Sequence, residues 1–319
     1  MKIKFYGVRG SLPAPGRNTV EYGGNTSCFE IVSKEGESYI FDAGSGIRDL
    51  GNELMVRYQG RVKTRVFITH DHWDHIQGFP FFVPAYVPGC KVEVYSGDKD
   101  LAKKLAEAQV RANGHLSGKT LEEMAATGDT VVQSKEPRMN HTKEIFQGQQ
   151  DTSRGYFPVS IEQMGSELTF RDLKQYEIVT NGLTVSAMFH NANPQGMFSY
   201  QIKEYGRRVV YTGDYEHDGG ENDEKMITWA NEADVLIIDG QYTPEEYTKK
   251  KGWGHSHIEK ICELAAKAKV KRVYVTHHDP LHNDAQLTQM ESRAKKYMQE
   301  VVKSNIPVIF AREEMEVEV

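Results

Sequence analysis

Four side chains of metal-ligand type fall within six positions, directly after a short strand-like run at residues 66–68. They are His70, His72, Asp74 and His75. Alternation along the chain predicts that His70 and His72 approach one cation while the later pair faces another. A surface histidine cluster without metal is the alternative, and so dense a set after a buried strand argues against it. The run predicts a metal site at a sheet edge.

Strand patterns occur in both halves of the chain, separated by Gly, Asn and Asp turn residues. We expect strands at residues 3–6, 28–32, 39–41, 65–68, 183–189, 198–202, 208–211, 235–238, 272–275 and 308–310. Gly206 between two of these runs suits a hairpin turn. Helical patterns follow the strands in both halves, which predicts two sheets faced by helices.

The clearest helix is expected just after Gly254. Ser256 and Glu259 form a capping-box pattern ahead of an apolar helical face. His255 would then lie just outside the N-terminus of this helix, where the helix dipole favours an anion. A second amphipathic helix is expected at residues 284–302.

The composition is typical of a water-soluble globular protein, with 39% hydrophobic and 26% charged residues. A net charge of -6 argues against an extended surface for duplex nucleic acid but permits a local basic patch. Three cysteines without paired metal spacing predict neither a disulfide framework nor a cysteine zinc site. The N-terminus contains no secretory or membrane-spanning segment, so we expect no membrane association and a cytoplasmic location.

Residues 1–319 are expected to form a single domain with an insertion or lid at about 103–142. This segment is polar and has weak periodicity. A lid, a homodimer contact and a substrate-selecting arm all remain open for it.

The HxHxDH pattern is similar to the signature of the metallo-β-lactamase superfamily, and the resemblance covers most of the chain. Further motifs that carry it lie at residues 7–11, 22–27, 42–46, 75–80 and 156–159. They resemble a bacterial branch close to ribonuclease Z and cyclic-nucleotide phosphodiesterases. The resemblance implies an α/β fold, an αββα sandwich of two mixed sheets flanked by helices, with metals at one edge between the sheets.

The resemblance also implies three later ligands, each after a strand pattern: His190, Asp214 and His277. By analogy, the first ion is held by His70, His72 and His190, the second by Asp74, His75 and His277, and Asp214 bridges both. The adjacent His278 is the weaker choice for the last ligand. Two divalent ions are implied, with Zn preferred and Mn or Fe also compatible. Residues 190–196 depart from the usual His-Pro turn of the branch, which implies a reshaped pocket wall.

The implied chemistry is hydrolysis of a phosphodiester by a metal-bridging hydroxide, with Asp74 orienting the water. The segment at 253–257 resembles the His-Ser-Thr region of ribonuclease Z, so His255 is expected to donate a proton to the leaving alkoxide. Asp239 could hold His255 or a ligand histidine in the required tautomer, and a simple turn aspartate is the alternative. Histidines at a helix start that merely face solvent are the alternative.

The expected substrate is a cyclic nucleotide, an RNA end or a small phosphodiester, that is, a small molecule or a short nucleic acid. An ester, thioester or lactone hydrolase on the same metals is the main alternative. A di-iron oxidoreductase and a non-catalytic binding module are further alternatives. The intact ligand set argues against the binding module, and the lack of a motif carboxylate replacement argues against the oxidoreductase.

Overall fold

The structure, a computed structural model, describes residues 1–97, 141–155, 157–173, 177–190 and 196–319. Most of the insertion expected at 103–142 lies outside these ranges. Its last two residues, His141 and Thr142, begin helix α3 (His141–Gln149). The amides of both residues donate hydrogen bonds to the Asp172 carboxylate, at 3.1 and 2.9 Å. The segment expected as an insertion therefore ends in residues that are anchored on a strand of the sandwich.

The first sheet of the described chain has seven strands in the order β14-β1-β2-β3-β4-β5-β6. They are β1 (Lys2–Gly7), β2 (Cys28–Val32), β3 (Ser38–Phe41), β4 (Lys63–Phe67), β5 (Lys91–Gly97), β6 (Glu167–Leu173) and β14 (Glu316–Glu318). Neighbours from β14 to β3 are antiparallel, whereas neighbours from β3 to β6 are parallel. The sheet is therefore mixed.

The second sheet, again within the described ranges, has seven strands in the order β13-β12-β11-β10-β9-β8-β7. They are β7 (Glu177–Thr180), β8 (Leu183–His190), β9 (Met197–Glu204), β10 (Arg207–Tyr211), β11 (Val235–Asp239), β12 (Val273–Thr276) and β13 (Val308–Phe310). Strands β7 to β10 are antiparallel and β10 to β13 are parallel. The β9–β10 turn places Tyr205 and Gly206 at φ 45° and 78°, which confirms the hairpin predicted at Gly206.

The described helices are α1 (Ile47–Arg57), α2 (Trp73–Ile76), α3, α4 (Glu221–Ala230), α5 (Pro244–Lys250), α6 (Ile258–Lys267) and α7 (Asp284–Glu300), with 3-10 turns at Phe79–Phe81, Val83–Ala85, Thr152–Arg154 and Ile161–Gln163. Helices α1 and α3 cover the outer face of the first sheet, and α4, α6 and α7 cover that of the second. Helix α1 packs its buried Leu50 and Leu54 in one apolar cluster with β3, β4 and β5. Helices α4, α6 and α7 form a second cluster with β10 to β13. The four layers confirm the expected αββα sandwich.

A third apolar cluster fills the space between the two sheets. Its centre is a row of stacked rings on the first sheet, Phe29 on Phe41 at 5.0 Å and Phe41 on Phe67 at 5.3 Å between centroids. Tyr200 of the second sheet meets Phe41 and Phe67 edge-on. Edge-to-face packing of this kind joins the two sheets across the core.

The predicted strands are all present, with ends shifted by one or two residues. Strands β5, β6, β7 and β14 were not predicted from the sequence. Strands β6 and β14 lie at the ends of the first sheet and β7 at the end of the second, and their sequences, such as ELTFRDL in β6, mix charges with apolar residues. Such edge strands are half-exposed, so their hydrophobic alternation is weak.

The start predicted for helix α6, with Ser256 as the N-cap, is wrong by one residue. Its N-cap is His257, whose Nδ1 accepts a hydrogen bond from the Lys260 amide at 3.4 Å. Ser256 is still extended, because its carbonyl accepts a hydrogen bond from the amide of Tyr242 at 3.1 Å. The Ser256 hydroxyl instead accepts one from the amide of His217 at 3.0 Å. A tertiary contact therefore holds the chain open where the local pattern predicted a cap.

The three cysteines, Cys28, Cys90 and Cys262, are free and buried, which confirms that no disulfide joins them. Among the described residues, no helix combines the length and the apolar character needed to cross a bilayer.

Candidate metal centre

Most of the predicted ligands lie in the segments that follow strands with a parallel neighbour, whereas His190 is the last residue of β8, whose neighbours are antiparallel. The run that starts at His70 comes three residues after β4, Asp214 comes three residues after β10, and His277 comes directly after β12. Parallel strands end at the same edge of a sheet, and the two sheets bring these edges together. The candidate centre is therefore assembled from both halves of the chain.

Four donor atoms converge closely at this edge. They are Asp74 Oδ2, His75 Nε2, Asp214 Oδ1 and His277 Nε2. Asp214 Oδ1 lies 3.0 Å from each imidazole nitrogen, Asp74 Oδ2 lies 3.1 and 3.5 Å from His277 and His75, and the two nitrogens are 3.3 Å apart. Tetrahedral Zn with bonds of about 2.0–2.1 Å requires donor separations of about 3.3–3.4 Å. Five of the six separations among these atoms lie near that value, whereas Asp74 and Asp214 do not belong to one group of mutually close donor atoms.

The other ring nitrogens of the two histidines are occupied. His75 Nδ1 lies 2.8 Å from Asp42 Oδ2, and His277 Nδ1 lies 2.9 Å from Gln241 Oε1. Because carboxylate and amide oxygens only accept, both Nδ1 atoms carry the proton in the neutral ring, and both Nε2 atoms present a lone pair to the centre. Lone pairs facing carboxylate oxygens repel unless a cation lies between them.

A second group surrounds the other oxygen of Asp214. Asp214 Oδ2 lies 3.3 Å from His70 Nε2 and 3.9 Å from His72 Nδ1. The His70 Nε2 atom is buried and has no hydrogen-bond partner. His70, His75 and Asp214 thus form a group of donor atoms close enough to hold an ion, and His75 also belongs to a group with Asp74 and His277.

His190 is near this second group but is not one of its close donor atoms. Its Nε2 lies 2.7 Å from the hydroxyl of Ser199, which in turn donates to the Thr212 carbonyl. Burial lowers the pKa of His190 to about 4. The structure therefore brings His70, His72, Asp74, His75, Asp214 and His277 together and places His190 beside them. The unusual turn at 191–195 lies outside the described residues.

The carboxylates of the centre favour positive charge on the groups between them. Burial alone would lower the pKa of His75, but the carboxylates of Asp214, Asp74 and Asp42 outweigh burial and raise it well above the ordinary value. The pKa of His277 is raised against burial in the same way. The pKa of Asp214 is held well below its ordinary value, because His277 and His75 outweigh the effect of burial.

His255 lies next to this cluster and is only 9% exposed. Its ring stacks on that of His277, with centroids 4.7 Å apart and planes 21° apart. Its Nδ1 lies 2.7 Å from Asp239 Oδ2, as the sequence suggested. Asp239 is itself fixed by the amides of Tyr215 and Gln241, at 3.1 and 3.0 Å. The alternative in which His255 faces solvent is therefore wrong.

His278 and Arg9 are held by contacts outside the centre. His278 Nε2 lies 3.0 Å from the Ala311 carbonyl and its ring stacks on Phe310, so His277 rather than His278 points into the centre. Arg9 is fully buried and donates to the backbone carbonyls of Gly23, Asp279 and His282. It joins three loops behind the centre and does not reach into it.

Sequence reasoning missed several residues that support the ligands. Asp42 accepts hydrogen bonds from the Thr69 amide and the Tyr211 hydroxyl besides contacting His75. Gln241 supports His277, and the Ser11 amide donates to Asp74 Oδ2 at 2.7 Å. The available signal for Asp42 was its position directly after β3 in the Asp-Ala-Gly-Ser-Gly turn, but the sequence does not reveal which ligand it contacts.

The family model described as "Beta-lactamase superfamily domain" matches residues 38–278. The chain belongs to this superfamily. Ribonuclease Z from Haloarcula marismortui is 24% identical, over 87% of this chain and 86% of its own length. The metallo-beta-lactamase fold protein YhfI from Bacillus subtilis has a TM-score of 0.62 at 15% identity, covering 100% of this chain and 98% of its own. Yeast PDE1 has a TM-score of 0.60 at 13% identity, covering 100% and 99%. These matches identify a hydrolase.

Proposed function

We propose that this superfamily member is a metal-dependent phosphodiesterase with a centre for two divalent ions. The ligands would be His70, His72, Asp74, His75, His190, Asp214 and His277. The observation that carries the proposal is the shared Asp214, whose two carboxylate oxygens face two separate groups of imidazole nitrogens. The relatives named Ribonuclease Z support a phosphodiester substrate. Imidazole and carboxylate ligands suit Zn, and Mn or Fe accept the same ligands.

A pair of bound divalent ions would supply Lewis-acid activation of water and of the phosphoryl oxygens. The contribution of Asp74 depends on its second contact. Its Oδ2 accepts a hydrogen bond from the Ser11 amide, which restrains the carboxylate, and only 8% of the Asp74 side chain is exposed. A carboxylate held in this way can orient an attacking water and accept its proton.

His255 is the proposed proton donor to the leaving alkoxide. Its Nδ1–H donates to Asp239 Oδ2, so the opposite nitrogen, Nε2, is the atom from which a proton would move. Asp239 stabilises the protonated ring and fixes its orientation. Stacking on His277 keeps this ring beside the ligands. Asp239 is therefore a positioning residue and His255 a catalytic one.

The substrates that fit this arrangement are a cyclic nucleotide, an RNA end or a small phosphodiester. We also place the protein in the cytoplasm, a proposal that the free, buried cysteines support.

The first experiment measures metal content together with hydrolysis of bis(p-nitrophenyl) phosphate, with and without chelator. About two metals per chain and turnover that the chelator abolishes are the expected results. Asp214→Ala should lose both metals and turnover. Asp223→Asn, which changes a buried carboxylate outside the centre, is the matched control and should lose neither.

Full activity in Asp214→Ala would contradict the bridging role. Bound metal with hydrolysis of a lactone or thioester, but of no phosphodiester, would replace the proposed reaction with the alternative one. His255→Ala should keep the metals and lower kcat, and loss of metal in that variant would contradict its role as proton donor.

A further inference from the structure

Two of the three tryptophans are exposed beside the candidate centre. Trp73 is 58% exposed and Trp253 is 64% exposed. Trp229, in helix α4, is half-buried. Tryptophan is highly buried on average, because its indole has a large apolar surface. Both exposed indoles lie in segments that carry candidate site residues, and exposed indoles are typical of surfaces that bind a ligand or a partner.

The backbone of Trp73 is held firmly although its side chain is exposed. It lies between His72 and Asp74 and is the first residue of helix α2. Its carbonyl accepts a hydrogen bond from the Gln77 amide at 2.8 Å, and the amide of His75 donates to the carbonyl of His72 at 3.0 Å. The indole therefore projects from a fixed segment of the centre itself.

Trp253 is held on both sides by one carboxylate. The amide of Gly252 donates to Glu216 Oε1 at 2.6 Å, and the amide of Gly254 donates to Glu216 Oε2 at 2.8 Å. Both glycines adopt positive φ, at 87° and 93°, which other residues adopt only with strain. This loop is fixed by its backbone while its largest side chain stays in solvent.

The two tryptophans are connected through the centre. Trp253 is two residues before His255, whose ring stacks on His277. His277 Nε2 lies 3.1 Å from Asp74 Oδ2, and Asp74 directly follows Trp73. Any ligand bound at the donor atoms is thus bordered by segments that carry exposed indoles.

Positive charge accompanies the second indole. Lys249 and Lys251, within four residues of Trp253, are both exposed. The combination of exposed aromatic rings with basic side chains is typical of surfaces that bind single-stranded nucleotides, where bases stack on rings and phosphates approach the cations. A purely apolar protein contact would not place lysines there.

We infer that Trp73 and Trp253 are specificity-determining residues on which the base of a nucleotide substrate stacks, with Lys249 and Lys251 attracting its phosphate. The inference rests on the proposed function and narrows its substrate to diesters that carry a nucleoside. Stacking reads the face of a base and not its hydrogen-bonding edge, so the site should accept different bases with similar affinity.

The binding test uses the metal-loaded protein and compares dissociation constants for thymidine 5′-monophosphate and methyl phosphate. These ligands share a phosphate monoester and differ in the nucleoside. The nucleotide should bind at least about tenfold more tightly. Trp253→Leu and Trp73→Leu should each reduce this ratio severalfold, and Trp253→Phe should retain most of it. Tyr205→Leu, at a 64% exposed aromatic in the β9–β10 turn, is the control and should not change the ratio.

A turnover test compares kcat/KM for thymidine 5′-(p-nitrophenyl) phosphate and methyl p-nitrophenyl phosphate, which share a leaving group. Parent preference for the nucleoside diester, reduced in the leucine variants, supports the inference. Equal affinity for the two monoesters in the parent, or an unchanged ratio in Trp253→Leu, overturns it. If the monoester ratio behaves as expected but no diester is hydrolysed, the stacking role stands and the phosphodiesterase proposal fails.

Discussion

Asp42→Asn should weaken metal binding without removing any ligand. Asp42 Oδ1 accepts a hydrogen bond from the Thr69 amide at 2.8 Å, and Oδ2 accepts one from the Tyr211 hydroxyl at 2.6 Å and lies 2.8 Å from His75 Nδ1. An amide nitrogen can only donate, so the asparagine must keep its oxygen towards Thr69 and turn its NH2 group towards His75. Tyr211 can adapt, because a hydroxyl also accepts.

The consequence for His75 is a change of tautomer. Its Nδ1 must accept from the new NH2 group, so the proton of the neutral ring moves to Nε2, the atom that faces the candidate ion. Loss of such a supporting contact typically lowers metal affinity about 10- to 100-fold, which corresponds to about 1.4–2.7 kcal/mol. The loss should fall mainly on the ion between Asp74, His75 and His277.

A chelator competition titration of Asp42→Asn measures this loss directly. Asp223→Asn is the matched control, because Asp223 is also buried and also accepts a hydrogen bond from a tyrosine, Tyr215, at 2.7 Å, but contacts no candidate ligand. The reasoning would be refuted if Asp42→Asn bound both ions as tightly as the parent, or if both variants lost affinity equally.

Three further predictions concern the surroundings of the centre. Gly10→Ala should displace His277 and weaken metal binding in the same titration, because a Cβ atom there would lie 2.2 Å from that ring; Gly148→Ala, with open space, should not. Arg9→Leu should lower the free energy of unfolding by about 3 kcal/mol or more in denaturant titrations, because buried carbonyls lose their donor. Burial lowers the pKa of His217 to about 4, so stability should decline as pH falls from about 6.5 towards 4. A glutamine at 217 should flatten this part of the profile, and an unchanged slope would contradict the assignment.

The sequence sufficed for the parts of the centre that are local. His70 to His75 form one continuous run, whereas Asp214 and His277 were expected because the family resemblance directed attention to residues that follow strand patterns. The pairing of Asp239 with His255 was also anticipated, because both lie at ends of elements that meet at one edge.

Supporting contacts could not be predicted in the same way. Asp42 and Gln241 are ordinary turn residues in the sequence, and their importance depends on which ring faces them after the two sheets have packed. The cap of helix α6 was misplaced for a similar reason, since the pairing of Ser256 with Tyr242 overrides the local pattern. Contacts chosen by tertiary packing leave little local signal.

The position of the ligands between the two sheets has a consequence for folding. Asp74 and His277 are 203 positions apart, and the first belongs to the half of the chain that builds one sheet while the second belongs to the other. An ion held by both acts as a reversible cross-link that closes a very long loop, comparable to a disulfide in its effect on the unfolded chain. Metal supply would then govern how long each molecule survives heat and proteolysis, as well as whether it turns over substrate.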